Sequence, residues 1–89
     1  MEELIEEVIE DFNIPPYFPK STLNRIGKEG LAYFEQLNNG CSVNLESDFN
    51  FRTLLKNYMY YAIEKRLPEF EENYRDMILR WQLETECDV

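Results

Sequence analysis

The sequence contains no histidine, and this absence removes most common catalytic and metal-binding arrangements. A serine–histidine–aspartate triad, a zinc-protease motif and a carboxylate–histidine pair of metal-binding helices all need that side chain. The two cysteines, Cys41 and Cys87, have no CxxC spacing that would indicate zinc, so we expect free thiols, with a disulfide as the lesser alternative. We therefore predict no catalytic residue, no metal site, no cofactor and a protein that is not an enzyme.

Basic residues are also scarce: nine oppose 18 acidic residues, for a formal net charge of −9. A surface with this balance repels phosphate groups, which excludes binding of DNA or RNA through an ordinary basic patch and argues against binding to anionic membranes. No apolar run is long enough to span a membrane, and the start, MEELIEEVIE, is acidic where a signal peptide is basic. We expect a cytoplasmic protein with no membrane partner.

Apolar and aromatic residues are abundant, with six phenylalanines, six tyrosines and one tryptophan among 89 residues. This length and composition predict one globular domain over residues 1–89. Hydrophobic residues recur at helical spacing, and no stretch has the alternation of a strand. The prediction is an all-α fold: a small bundle of about four helices with a long C-terminal helical element.

The first predicted helix, Met1–Phe12, is amphipathic, with its apolar residues on one face. Its other face carries acids, which we treat either as simple solvation or as a functional surface. We call this the acidic face, and it consists of Glu2, Glu3, Glu6, Glu7 and Glu10. Three prolines then predict an ordered loop over Asn13–Lys20.

A second helix is predicted over Thr22–Asn38, with Ser21 as its N-cap. Gly27 and Gly30 each lower helix stability by about 1 kcal/mol against alanine, which indicates either close approach of another helix or a helix that simply tolerates them. The following loop, Cys41–Asn50, contains Val43 and Leu45, which we expect to point inward.

The stretch Phe51–Leu83 is the structural centre of the predicted fold. Wound as a helix, its first half is apolar over about two thirds of its circumference, which is typical of a helix surrounded by neighbours. The apolar stripe changes direction near Pro68, which predicts either two helices or one sharply kinked helix. Ser47 or Asp48 is expected to cap its start.

Several apolar residues of this stretch fall outside the predicted core stripes. Leu79 and Leu83 lie four residues apart opposite Trp81, and Tyr60 lies within a polar face. We predict a surface for a partner or for self-association at Tyr60, Leu79, Leu83 and Trp81, incidental exposure being the alternative. Charged residues nearby predict i,i+4 ion pairs between Glu71 and Arg75 and between Asp76 and Arg80.

The segment Leu54–Glu84 resembles the C-terminal half of the small head–tail connector (adaptor, or head completion) proteins of tailed bacteriophages and prophages. The resemblance rests on a leucine pair, on Tyr58, Tyr61 and Ala62, and on the sequence FEENY at Phe70–Tyr74. It is a pattern of core residues without a catalytic motif. Tyr60, where a basic residue is usual, and Pro68 depart from it.

The resemblance implies a structural role in virion assembly. Subunits of this kind associate into a ring under the portal of the filled capsid and join it to the tail or to further completion proteins. The expected partners are therefore the protein itself, the portal and tail or completion proteins. The expected location is the host cytoplasm during assembly and then the virion. DNA would pass through the ring without specific binding, because an acidic channel repels it.

Two other functions are compatible with the sequence. The net charge of −9 and the acidic first helix also suit an inhibitor that mimics DNA in the basic groove of another protein. A helical regulatory module that docks on a protein partner is the third possibility.

Overall fold

Five α-helices make up the part of the chain that the structure, a computed structural model, describes, which is residues 1–38 and 48–84. They are α1 (Glu2–Asp11), α2 (Lys20–Leu37), α3 (Phe49–Ile63), α4 (Leu67–Asn73) and α5 (Arg75–Glu84). The all-helical prediction is confirmed over these residues, although the helices number five instead of about four. The predictions for Val43, Leu45 and the two cysteines fall outside the described residues.

Helix α3 is the centre of the fold, and it packs against each of the other four helices. Its start is fixed by Asp48, whose Oδ1 accepts a hydrogen bond of 3.0 Å from the backbone N–H of Phe51, as the N-cap prediction required. One continuous core surrounds the helix. Its most deeply buried large side chains come from all five helices, and each is at most 2% exposed: Leu4, Val8, Leu23, Phe34, Phe51, Leu54, Leu55, Met59, Phe70 and Trp81.

Helix α2 lies close to α3 at its two glycines, which agrees with the prediction of a nearby helix. A Cβ atom at Gly30 would lie 2.7 Å from the side chains of both Leu55 and Tyr58. A Cβ atom at Gly27 would lie 3.5 Å from Met59 and 3.0 Å from the sulfur of Met1. The missing side chains therefore let α3 side chains pack against the backbone of α2.

The start of α2 differs from the prediction. The helix begins at Lys20, its N-cap is Pro19, and no side chain caps it. The carbonyl oxygen of Pro19 accepts the N–H groups of Thr22 and Leu23 at 3.2 and 3.3 Å. Ser21 is therefore inside the first turn, and its assignment as the N-cap was wrong.

The C-terminal element is interrupted twice. Helix α3 ends before Pro68, because Lys65 adopts a left-handed conformation with φ of 58°. The N–H of Arg66 then bonds to the carbonyl of Tyr61 at 2.7 Å and that of Lys65 to the carbonyl of Ala62 at 3.1 Å, which is a Schellman motif. Pro68 lies in the first turn of α4, where its missing N–H has no helical acceptor to lose.

The second interruption is at Tyr74, which separates α4 from α5 with φ of −109°. It places Glu71 and Arg75 on different helices. Neither the predicted Glu71–Arg75 pair nor the predicted Asp76–Arg80 pair is among the ion pairs formed by the described residues. For Glu71 and Arg75, the i,i+4 rule assumed one continuous helix, which the chain does not form at Tyr74. Asp76 and Arg80 both lie in α5 and are both exposed, and nothing in the structure explains why they do not pair.

Candidate functional site

Two leucines project from the outer face of α5. Leu79 is 51% exposed and Leu83 is 85% exposed, whereas Ile78 and Trp81 on the opposite face are 7% and 2% exposed. The four-residue spacing brings Leu79 and Leu83 onto neighbouring turns of the same face. We call them the leucine pair. The structure thus places both residues where the sequence predicted them, on the surface.

Trp81 holds α5 against the rest of the molecule. Its indole N–H donates to Oδ2 of Asp48 at 3.0 Å, and its ring stacks on Phe51 with centroids 5.4 Å apart. Gln82 adds a hydrogen bond of 2.9 Å from Nε2 to the carbonyl of Leu37 at the end of α2. Because Trp81 is 2% exposed, its assignment to a partner surface was wrong, and it instead positions the leucine pair.

A shallow groove lies next to Leu79, between α2 and the C-terminal helices. Its apolar lining comes from Tyr33, Leu37, Ile78 and Leu79, and its charged rim from Glu71 and Arg75. Burial and the charge of Glu71 raise the pKa of Tyr33 above its usual value, so this phenol is neutral at physiological pH. The groove extends the apolar surface of Leu79 from α5 onto α2.

Tyr60 is engaged within the chain. Its ring stacks on Phe12 with centroids 4.5 Å apart and planes 12° apart, which joins the end of α1 to α3. The side chain is half-buried. Its place on the polar side of α3 is thus explained by a contact with α1, and only part of the ring is available to a partner.

The acidic face of α1 divides into paired and unpaired carboxylates. Glu7 pairs with Arg52 and Lys56 on α3, Asp11 pairs with Lys56 at 2.8 Å, and Glu6 pairs with Lys20 at 2.8 Å. The hydrogen bond to Glu6 and its charge raise the pKa of Lys20. These contacts hold α1 against α2 and α3, and they neutralise part of the face.

The remaining members of the acidic face lie outward. Glu2, Glu3 and Glu10 are exposed and form no ion pair with any residue in the described ranges. At helical spacing Glu3 and Glu10 project on the same side as Glu6. The predicted acidic surface therefore consists mainly of Glu2, Glu3, Glu6 and Glu10.

Two further exposed apolar residues were not part of the predicted partner surface. Tyr17 is 86% exposed in the proline-rich loop, at a turn closed by a hydrogen bond of 3.0 Å from the N–H of Phe18 to the carbonyl of Pro15. Phe49 is 79% exposed at the first position of α3. Extending the helical wheel back from Phe51 would have put Phe49 on the polar face, so its exposure was readable from the sequence.

Among residues 1–38 and 48–84, no group of three or more acidic or cysteine side chains could hold a metal ion, and no helix is long and apolar enough to cross a membrane. Comparison with protein-family models, with curated proteins and with solved structures finds no match to this chain. The arrangement described above is thus the basis for inferring function: an apolar pair on a rigidly held helix, and an acidic helix elsewhere on the surface.

Proposed function

We propose that the chain is a structural virion assembly protein, a ring-forming adaptor between the portal and the tail or further completion proteins. The proposed role involves no catalysis. The observation that carries it is the leucine pair, because Trp81 and Gln82 hold α5 so that Leu79 and Leu83 face outward. Apolar side chains fixed in this way are typical of a surface that a partner covers.

The resemblance of Leu54–Glu84 to head–tail connectors supports the same proposal. Its recurring aromatic residues lie in or against the core, with Tyr58 and Phe70 8% and 0% exposed. Tyr61 and Tyr74 pack against that core and contact each other, with ring centroids 6.0 Å apart. The pattern that resembles the family is therefore one that a helical subunit of this architecture needs for folding.

The charge distribution is compatible with a channel through which DNA passes. Glu3 and Glu10 form no ion pair with the described residues, so a surface lined by α1 would repel phosphate groups. Like charge on every copy also opposes association of free subunits at low salt. We therefore expect subunits that are monomeric when dilute and that associate on the portal.

Electron microscopy and size analysis of the protein, alone and with a portal, test this proposal. We expect a ring on the portal, and we expect the variant Leu79→Asp/Leu83→Asp to fold normally but to lose ring formation. Leu67→Asp/Met77→Asp is not a suitable control because both side chains pack against the core. The matched control is Gln36→Glu/Asn50→Asp, which adds the same two negative charges at exposed polar positions and leaves the leucine pair unchanged. Wild-type protein that never binds portal or tail partner would overturn the proposal.

A second candidate function, an acidic inhibitor that mimics DNA, is favoured by the unpaired carboxylates of α1. Such a protein would compete with DNA for a basic protein, and the variant Glu3→Gln/Glu10→Gln would compete less well. The two functions make opposite predictions for the leucine pair, since Leu79→Asp/Leu83→Asp would abolish ring formation and leave competition with DNA unchanged.

A further inference from the structure

We infer that the N-terminal arm, which we define as residues 1–14, is exchanged between copies of the chain. In each chain the arm lies on α2 and α3, and we call the surface that it covers the arm site. In the exchanged form, the arm of one copy occupies the arm site of a second copy. The inference goes beyond the proposed function, because it adds a contact between copies that does not use the leucine pair.

The arm is one structural unit that ends at Ile14. Helix α1 closes with a Schellman motif, in which Asn13 has φ of 52° and the N–H of Ile14 bonds to the carbonyl of Ile9 at 3.0 Å. Ile14 is 7% exposed and belongs to the same core as Leu4 and Val8. These residues therefore move together, and a change of direction between arm and core falls after Ile14.

Residues 15–19 form the hinge, and opening it breaks little structure. Its three prolines and Tyr17 are exposed, and proline has no N–H to donate. Inside this segment one backbone hydrogen bond forms, from the N–H of Phe18 to the carbonyl of Pro15 at 3.0 Å. Residues that precede proline favour extended conformations, so an opened hinge of five residues spans about 16 Å. That reach carries the arm away from its own core.

Opposite charges and apolar surface meet where the arm lies on α3. Glu7 pairs with both Arg52 and Lys56, and Asp11 pairs with Lys56 at 2.8 Å. The apolar face of α1 is buried in the same contact, where Leu4 is 1% exposed. An arm that left its site empty would expose apolar surface on both sides. A second arm is therefore the occupant that restores every contact.

The balance between the closed and exchanged forms depends on the hinge and on protein concentration, because the arm makes the same contacts in both. Dilute chains remain closed. Copies held side by side have a high effective concentration, which favours exchange. Reciprocal exchange gives a dimer, and exchange from each copy to the next gives a heterologous contact that closes into a ring when the rotation between subunits allows it.

Two charge-reversal variants test the exchange. Glu7→Lys/Asp11→Lys is the arm variant, and Arg52→Glu/Lys56→Glu is the groove variant. The closed form of either places like charges together, so each should melt about 5 °C below the wild type. In an exchanged dimer of the two variants, both arms meet a site of opposite charge. Refolding them together from urea should therefore give a one-to-one dimer by native mass spectrometry, with the melting temperature of the wild type.

Two controls accompany this experiment. A single chain with all four substitutions should regain the melting temperature of the wild type, because its own arm then matches its own site. Glu72→Lys/Asp76→Lys changes two exposed carboxylates outside the contact and shifts the net charge by the same amount as the arm variant does. Refolded with the groove variant, it should give no restored dimer, because one of the two arms still meets like charge.

The wild type gives a second readout. Refolded at high concentration with both cysteines kept reduced, it should contain dimers that persist after dilution, since an arm must undock before the copies separate. Leu79→Asp/Leu83→Asp should form the same dimers, because the exchange does not involve α5. Loss of the dimers in this variant would assign the association to the leucine pair and overturn the inference.

The outcomes separate this inference from the proposed function. If the arm and groove variants remain separate monomers while the chain with all four substitutions is restored, the arm does not exchange, and the adaptor function stands. If the arm exchanges but the wild type never binds portal or tail partner, the inference stands and the proposed function fails.

Discussion

The two buried glycines of α2 should respond to alanine in opposite ways. Gly30→Ala should lower the free energy of unfolding, and Gly27→Ala should raise it. In the interior of a helix, alanine is favoured over glycine by about 1 kcal/mol. At Gly30 the new methyl group would lie 2.7 Å from Leu55 Cδ1 and from Tyr58 Cδ1, whereas carbon atoms pack at about 3.5–4.0 Å. Either the buried Leu55 and Tyr58 or the two helices must move by about 1 Å.

The expected change in the free energy of unfolding combines the gain in helix propensity with the cost of the close contacts. Overpacking a close-packed core costs about 1–3 kcal/mol, so we expect Gly30→Ala to lower the free energy of unfolding by about 1 kcal/mol after the gain in helix propensity. At Gly27 the nearest atom is the sulfur of Met1 at 3.0 Å, and Met59 is 3.5 Å away. Both are ends of flexible thioether side chains, which adapt readily. Gly27→Ala should therefore raise the free energy of unfolding by about 0.5–1 kcal/mol.

Urea unfolding followed by circular dichroism measures both variants. The exposed Ala32 of α2 provides the control, because Ala32→Gly reports the helix propensity of this helix without a packing change. Adding the change in the free energy of unfolding for Ala32→Gly to that for Gly30→Ala cancels the helix propensity and isolates the cost of the contact with α3. If Gly30→Ala stabilises the protein as much as Gly27→Ala does, the close approach of α2 and α3 at Gly30 is refuted.

Three further predictions concern the other helices. Lys65→Gly should raise the free energy of unfolding by about 1 kcal/mol, because φ at Lys65 is 58° and glycine alone adopts that conformation without a steric cost. As a control, Lys28→Gly within α2 should lower the free energy of unfolding by a similar amount. Asp48→Ala should destabilise by about 2 kcal/mol in urea titrations, since α3 loses its cap and Trp81 loses one hydrogen bond, whereas Asp48→Asn should cost less. Burial raises the pKa of Tyr58 above its usual 10.0, so stability that is present below pH 10 should fall as the pH rises through the higher folded pKa; Tyr58→Phe should remove this part of the pH dependence.

The sequence predicted the helical class and most of the core because the apolar spacing of each helix matches the face that packing requires. Leu4, Val8, Leu54 and Phe70 were each placed on an apolar stripe, and each is at most 1% exposed. The N-cap of α3 followed from the type of residue, since Asp48 has a short acceptor side chain directly before an apolar run. Such features depend on neighbours in the sequence, which is why they could be read from it.

Features that depend on distant contacts could not be predicted. Helix α3 ends at Ile63, and the left-handed residue after it is Lys65 instead of a glycine, so no residue type marked the Schellman motif. Pro68 drew attention to a position three residues too late. Trp81 was wrongly included in the partner surface although it lies opposite Leu79 and Leu83, and its hydrogen bond to Asp48, 33 residues earlier, could not be read from the sequence. The neutralisation of Glu7 likewise depends on Arg52 and Lys56, which only the packing of α1 on α3 brings near.

The distinction between core residues and surface residues also decides which residues bear on function. Residues that make the chain resemble head–tail connectors, such as Tyr58 and Phe70, are core residues, and core residues determine how a subunit folds. Leu79, Leu83 and Tyr17 contribute little to that core, since each is at least half exposed, so the fold does not account for them. Substituting the core should abolish folding in any function, whereas under the proposed adaptor function substituting Leu79 and Leu83 should abolish only association. One observation would therefore connect this fold to virion assembly: heads and tails that fail to join when the leucine pair is changed in a protein that still folds.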